Sequence, residues 1–137
     1  MPLGALFCRL FPCWPLLRRL PRIARQSAPS LKLLTNYPVK QNGQNQSGAI
    51  LDGLTHSGDH LEVHETTLAP GSAPHPPHQH EHEELFLMMK GSLAVTIAGK
   101  TAVIGPGGAA FAHSNELHGV VNPGTENAQY FVVATGV

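Results

Sequence analysis

The sequence predicts one all-β domain of about eight short strands, a barrel or a sandwich, in residues 47–137. Short apolar runs alternate there with turn residues at intervals typical of strands. No segment longer than about ten residues keeps a helical apolar period without a glycine or a proline. The 137-residue chain is rich in both, with 14 Gly and 12 Pro, and its length fits a single domain.

The charges divide the chain into two parts that its net charge of zero conceals. Residues 1–51 carry seven basic residues and no acidic one, whereas residues 52–137 carry two basic residues, all nine acidic residues and all nine histidines. Such a shift separates a tail from a folded domain. We therefore divide the chain into an N-terminal segment at 1–30, a linker or edge strand at 31–46, and the domain.

The N-terminal segment contains arginines, no acidic residue and five prolines. Two interpretations stay open: an organellar targeting peptide, or non-structural sequence in front of a cytoplasmic domain. Cys8 and Cys13 are the only cysteines and both lie here, so the domain has no disulfide.

The zero net charge of the whole chain argues against a nucleic-acid partner. No apolar run reaches about 18 residues without a charge or a proline, which argues against a membrane partner.

The strands are predicted in order between breaks of turn residues. Gly99-Lys100 is the clearest hairpin turn, because glycine accepts the positive φ that a two-residue turn needs. The polar segment 41–48 is predicted to be a loop. The eight strands are expected at 49–54, 61–68, 80–89, 93–98, 101–104, 109–112, 117–122 and 128–135.

Residues 75–84, with the sequence HPPHQHEHEE, carry most of the chemistry. Alternate side chains of an extended strand share one face, so His78, His80 and Glu84 are expected to converge. Imidazole nitrogens and carboxylate oxygens are ligands of divalent first-row metals. His118, on a predicted later strand, is the candidate for a fourth ligand. The alternative is a solvent-exposed tract that binds metal loosely or only solvates a loop.

The tract belongs to a spacing pattern that resembles the first motif of the cupin family. Gly71 is followed by six residues, His78-Gln79-His80, three residues, Glu84, six residues and Gly91. Only the first gap differs from the family pattern, by one residue.

A second segment resembles the second cupin motif. Starting from Gly107, the chain has His113 where the family has proline and Asn115 where it has glycine. His118 and Asn122 then follow at the expected spacing. Asparagine is the usual non-glycine residue in a left-handed turn, so the change at Asn115 is mild. The resemblance covers residues 47–137.

The resemblance implies a double-stranded β-helix, which is a jelly-roll barrel with a metal ion inside. His78, His80, Glu84 and His118 would be the ligands of a divalent transition metal, which is Fe, Mn, Ni, Cu or Zn. The resemblance also implies that Asn122 closes the second motif. The predicted core consists of Leu85, Leu87, Val95, Ile97, Phe111, Val121, Phe131 and Val133.

The other histidines are assigned to solvent or to polar faces. His82 would face inward in a strictly extended strand and outward beside a bulge. The favoured interpretation is that its side chain lies in solvent. His56 and His75 are also expected in solvent. His60 and His64 are interpreted as the polar face of an edge strand.

Fold alone does not select a function. The first hypothesis is a metal-dependent enzyme, such as a dioxygenase or an isomerase, acting on a small organic substrate, because four protein ligands leave about two positions open on an octahedral ion. The alternatives are a non-catalytic metal or small-ligand binding module and a purely structural metal. Apart from His82 and Glu83, no acid or base is evident in the barrel.

A homodimer is expected, through an exposed sheet or an exchanged strand within 31–54.

Overall fold

The computed structural model describes residues 36–136, which contain nine strands and no helix. The described residues therefore include no helix that is long and apolar enough to cross a membrane. The segment 1–30, with both cysteines and the targeting interpretation, lies outside the described residues. The strands are β1 Val39–Asn42, β2 Asn45–Leu54, β3 His60–Leu68, β4 Glu83–Lys90, β5 Leu93–Ile97, β6 Lys100–Ile104, β7 Ala109–Ala112, β8 His118–Val121 and β9 Ala128–Thr135.

The strands form two sheets. One has six strands in the order β1-β2-β3-β9-β4-β7, and the other has three in the order β6-β5-β8. Every pairing between neighbouring strands is antiparallel. The prediction of an all-β jelly roll is confirmed, and each of the eight predicted strands is present.

The segment 41–48 is a hairpin, so the prediction of a loop there is wrong. Strands β1 and β2 pair from Val39↔Gly48 to Asn42↔Asn45, with a two-residue turn at Gly43-Gln44. Gly43 has φ +60°, a backbone conformation that favours glycine. The side chains of this hairpin are polar because it is the exposed edge of the sheet, where strand pairing does not need an apolar face.

The core lies between the inner faces of the two sheets. Tyr130, Leu68 and Leu93 are the largest apolar side chains that are fully buried. Phe86 and Val132 line the same interior from neighbouring strands, where they are paired in register. The remaining members of the core are Met88, Val95, Ala112, Val120 and Ala128.

The predicted core was assigned to the wrong face on four strands. Of the eight residues, Val95 is buried and Ile97 packs against the core from a partly buried position. Because side chains alternate along a strand, a shift by one residue exchanges the two faces. Three of the others are exposed and three are half-buried on the outer faces: Leu87, Phe111 and Val121, and then Leu85, Phe131 and Val133.

The outer face of the six-stranded sheet is therefore also apolar. In one register row, Leu51, Val63, Val133, Leu85 and Phe111 follow one another across five strands. The homodimer predicted from the sequence stays a prediction, and this row is the exposed sheet that it would use.

Candidate metal centre

Four side chains meet at one end of the interior. The rings of His78, His80 and His118 lie 4.7–4.9 Å apart between centroids. The Glu84 carboxylate lies against two of them, with Oε1 3.3 Å from His80 Nε2 and Oε2 3.3 Å from His118 Nε2. Each of the three histidines offers a ring nitrogen within 4.8 Å of the others, so the cluster could hold a metal ion.

Two of the four side chains are placed by strands. Glu84 is the second residue of β4 and shares its inner face with Phe86, because the two residues are separated by two positions. His118 is the first residue of β8 and pairs with Ile97 of β5. The side chain of His118 is only 2% exposed, and that of Glu84 is 12% exposed.

The other two side chains are placed by a loop, because β4 begins at Glu83 and not at residue 80. Pro74, Pro76 and Pro77 precede the cluster, and a proline cannot donate to a strand ladder. The loop is instead attached at two points of the second motif. His78 exchanges two backbone hydrogen bonds with His118, each 2.9 Å long, and the Asn115 N–H donates to the carbonyl of His80 at 2.7 Å.

Close packing and an unusual backbone conformation support this attachment. A Cβ on Gly119 would lie 3.1–3.2 Å from atoms of Pro77, so glycine allows the loop to approach β8. Asn115 has φ +62°, which agrees with its interpretation as a left-handed turn residue. The strand alternation that predicted convergence of His78 and His80 is therefore wrong, although the convergence itself is present.

Backbone carbonyls fix the tautomers of two rings. The Nδ1–H of His80 donates to the His82 carbonyl at 2.9 Å, and the Nδ1–H of His118 donates to the Glu116 carbonyl at 2.7 Å. A carbonyl accepts only, so Nδ1 carries a proton in both rings, and Nε2 is the ring nitrogen that faces the Glu84 carboxylate. This is the usual outer support of a histidine that binds a metal.

Three ring nitrogens in the cluster are buried without a hydrogen-bond partner: His78 Nδ1, His80 Nε2 and His118 Nε2. A buried polar atom without a partner costs free energy, so native structures satisfy nearly all of them. Burial lowers the pKa of His78, and the neighbouring rings of His75, His118 and His80 lower it further. Three imidazole nitrogens close together beside one carboxylate are a ligand set that fits a divalent cation.

His82 lies beside the cluster, half-buried, where solvent was predicted. Its ring stacks on that of His80 with a centroid distance of 3.4 Å and an interplanar angle of 10°, and its Nε2 lies 3.5 Å from Glu84 Oε1. His80, His82 and Glu84 form a second group within ligand distance. The lone pair of an imidazole nitrogen lies in the ring plane, so the lone pairs of two stacked rings lie in nearly parallel planes and do not meet at one point. His82 therefore holds the ring of His80 by stacking and contacts the Glu84 carboxylate, without being a ligand itself.

The remaining histidines and Glu83 lie outside the cluster. His56 is exposed, and so is His75, whose ring meets His78 edge-on with centroids 4.3 Å apart. His60 contacts the Asp52 carboxylate at 2.8 Å. Glu83, considered above as an acid or base, lies on the outer side of β4 and contacts His113 at 3.5 Å.

The prediction that His60 and His64 lie on an edge strand is wrong, because β3 is an interior strand between β2 and β9. The Nδ1 of His64 lies 3.2 Å from the Glu62 carboxylate, and its side chain lines a cavity that also reaches Glu84 and His118. His64 shares its strand face with the buried Thr66 and Leu68, because side chains two and four residues apart lie on one side of a strand.

The cavity has a volume of about 320 Å³. Its apolar wall includes Phe86, Val120 and Val132. Tyr130, which no sequence motif singles out, also lines the cavity; it is 1% exposed and hydrogen-bonds to Thr66 on the neighbouring strand. Burial raises the pKa of the Tyr130 hydroxyl and outweighs that hydrogen bond, so the hydroxyl stays protonated near neutral pH.

Asn122 is fully buried and links three parts of the chain. Its Nδ2 donates to the carbonyls of Leu68 and Glu126, at 2.9 and 2.8 Å, and its Oδ1 accepts the N–H of Gly124 at 2.9 Å. The interpretation that Asn122 closes the second motif agrees with these contacts.

The family model described as Cupin domain matches residues 64–134, while curated proteins give no significant match. A solved RmlC-like cupin from Shewanella frigidimarina is 16% identical with a TM-score of 0.64, and the alignment covers 80% of this chain and 93% of that one. At these identities the likeness to solved structures shows the fold alone.

Two further solved structures illustrate the range of proteins with this fold. A predicted oxalate decarboxylase from Thermotoga maritima is 18% identical with a TM-score of 0.63, covering 79% of this chain and 100% of that one. The polyketide cyclase RemF from Streptomyces resistomycificus is 22% identical with a TM-score of 0.60, covering 79% and 80%.

Proposed function

Because this chain belongs to the cupin domain family, we propose that it is a metal-dependent enzyme in which His78, His80, Glu84 and His118 hold one divalent transition ion. The observation that carries the proposal is the set of three buried ring nitrogens without hydrogen-bond partners around the Glu84 carboxylate. The ion, which is Fe, Mn, Ni, Cu or Zn, would supply Lewis-acid or redox chemistry.

The chain's own residues prepare the cavity for a small organic substrate. Phe86, Val120 and Val132 offer an apolar wall that excludes water from the inner end. The Tyr130 hydroxyl, which burial keeps protonated, supplies a hydrogen-bond donor in the same cavity, next to the Thr66 hydroxyl. These groups suit a dioxygenase or an isomerase, in which a small substrate binds beside the ligand cluster and is oriented by the hydroxyl.

The second candidate function is a non-catalytic metal or small-ligand binding module. One observation favours it: Glu84 is the only carboxylate that lines the cavity within residues 36–136, and the metal centre would occupy it. Under this alternative the ion is held as tightly, and no small substrate is turned over.

The first experiment is elemental analysis of untagged protein after chelation and reloading, beside His118→Ala and the control His113→Ala. His113 is 67% exposed and lies outside the cluster. We expect about one tightly bound ion per chain, lost in His118→Ala and kept in His113→Ala. Several loosely bound ions, unaffected by either change, would overturn the proposal and leave only a surface chelator.

Turnover separates the two functions. Protein loaded with each of the five metals is incubated with a panel of small oxygen-containing organic compounds, and oxygen uptake and product spectra are recorded. Turnover that disappears in His118→Ala and survives in His113→Ala supports the enzyme. Tight metal binding without turnover across the panel favours the binding module.

A further inference from the structure

We propose that the cavity selects small organic acids and that Lys40, on the β1–β2 hairpin, recognises their carboxylate. This inference rests on the proposed function, since it names the substrate class of the same cavity. Lys40 and Ser47, at the carboxylate position, lie in Val39–Leu54, outside the segment 64–134 that matches the family.

The register of the sheet brings Lys40 to the cavity. Lys40 pairs with Ser47, Ser47 with Thr66, and Thr66 with Tyr130, so the four side chains share one face in one row across four strands. All four line the cavity. The hairpin thus extends the inner face of the sheet beyond β3 and adds a polar end to a cavity whose inner wall is apolar.

The charge at this end is opposite to that of the rest of the domain. Residues 36–136 carry nine acidic residues and three lysines, Lys40, Lys90 and Lys100. Only Lys40 lines the cavity, and none of the ion pairs found in the described part of the chain involves it. A cation without a carboxylate partner, in a domain that is otherwise acidic, is suited to bind an anionic ligand.

Polar neighbours complete the carboxylate position. The Ser47 hydroxyl and the side-chain amide of Asn42 line the same end and can donate hydrogen bonds. The side-chain amide of Asn45 makes other contacts: its Oδ1 accepts the Ala69 N–H at 3.0 Å, and its Nδ2 donates to the Ala73 carbonyl at 3.2 Å. It therefore ties the hairpin to the loop before the histidines.

The two ends of the cavity define the ligand class. A carboxylate fits the polar end at Lys40, and a compact apolar body fits against Phe86, Val120 and Val132. The volume of about 320 Å³ is at the small end of ligand cavities, which favours a compact acid over an extended one.

The test compares benzoate with benzamide, which have nearly the same shape and differ in charge. Binding to zinc-loaded protein is measured by calorimetry at low salt for the native chain, Lys40→Gln and the control Lys100→Gln, whose lysine lies on β6 of the other sheet. We expect benzoate to bind about tenfold more tightly than benzamide, the size of one charge-assisted hydrogen bond. The preference should disappear in Lys40→Gln, persist in Lys100→Gln, and weaken as salt is added.

Three results would overturn the inference. Equal binding of the two compounds would remove the charge preference, and binding of neither would remove the site. A benzoate preference that survives in Lys40→Gln would place the carboxylate elsewhere, for example on the metal. Elemental analysis of each sample keeps the proposed function separate: if no sample holds zinc, the metal proposal fails, and the benzoate preference of the same metal-free protein still tests Lys40.

Discussion

The six-stranded sheet has two apolar faces that differ in what covers them. On the inner face, Phe86 and Val132 are each 3% exposed. On the outer face, Leu87 is 37% and Phe111 is 41% exposed, although their chemistry is the same. An apolar run between turn residues therefore locates a strand without telling which of its faces is inside, because both faces of β4 and β9 carry large apolar residues.

Polar residues distinguish the two faces where apolar residues do not. Glu83 and Glu84 are neighbours in β4, yet Glu84 points at His80 and His118, while Glu83 meets only the exposed His113 in the contacts of the described chain. A carboxylate is buried when charges or metals compensate it. The face that carries Glu84 is therefore the inner face, and Phe86 and Met88 follow on the same side.

The largest expected difference between the two faces is in packing. Phe86→Ala removes a ring that packs near both Tyr130 and His118, with centroids 6.3 and 6.2 Å away. We expect it to lower the free energy of unfolding by about 3–5 kcal/mol. Phe111→Ala should lower it by less than about 1 kcal/mol, because its ring is partly solvated. Urea unfolding of the metal-free proteins measures both.

Equal losses in the two variants would contradict the difference in burial between the two faces. They would show that the outer face is as deeply buried in solution as the inner face, which is what a homodimer through this sheet would produce. A dependence of the Phe111→Ala loss on protein concentration would identify that cause.

The second difference concerns metal binding by the two carboxylates. Glu84→Gln removes the charge that faces His80 and His118, and we expect the affinity for zinc to fall by about a hundredfold or more, since even outer partners of ligands cost 10–100-fold. Glu83→Gln changes a neighbouring residue in the same way and should leave the affinity within about twofold. Competition with a chromophoric chelator measures both, and similar losses would mean that the ion is not held on the inner face.

Much of the fold could be predicted from the sequence, because turn residues delimit the strands. The choice of inner face could not, since Leu85, Leu87, Phe131 and Val133 are as apolar as the residues between them. The position of Glu84 contained that information: a carboxylate expected to meet His118 inside requires residues 86 and 88 to face inward with it. The histidine cluster could be predicted only as a set, since the loop attachment of His78 depends on long-range pairing with His118.

The third difference is between Tyr130 and Phe131, which are neighbours on β9. Tyr130→Phe removes the hydroxyl that bonds to Thr66 and leaves that buried side chain without its partner. We expect a loss of about 1 kcal/mol in the free energy of unfolding. Phe131→Tyr adds a hydroxyl on the outer face and should change it by less than about 0.5 kcal/mol. Thermal and urea unfolding give the comparison, and a larger cost for Phe131→Tyr would contradict it.

The smallest expected effect is a pH dependence that arises at the inner face. Burial lowers the pKa of His78 below its usual value of 6.5, so near that pH the unfolded chain binds more protons at this position than the folded chain does. The stability that neutral His78 contributes is complete above the unfolded pKa and declines as the pH falls through about 6.5, with a slope below about 1.4 kcal/mol per pH unit for one proton. His78→Gln should flatten the decline in metal-free protein, whereas the outer-face control His113→Gln should keep it. Urea unfolding at pH 5.5, 6.5 and 7.5 tests this, and an unchanged decline in His78→Gln would assign it to other groups.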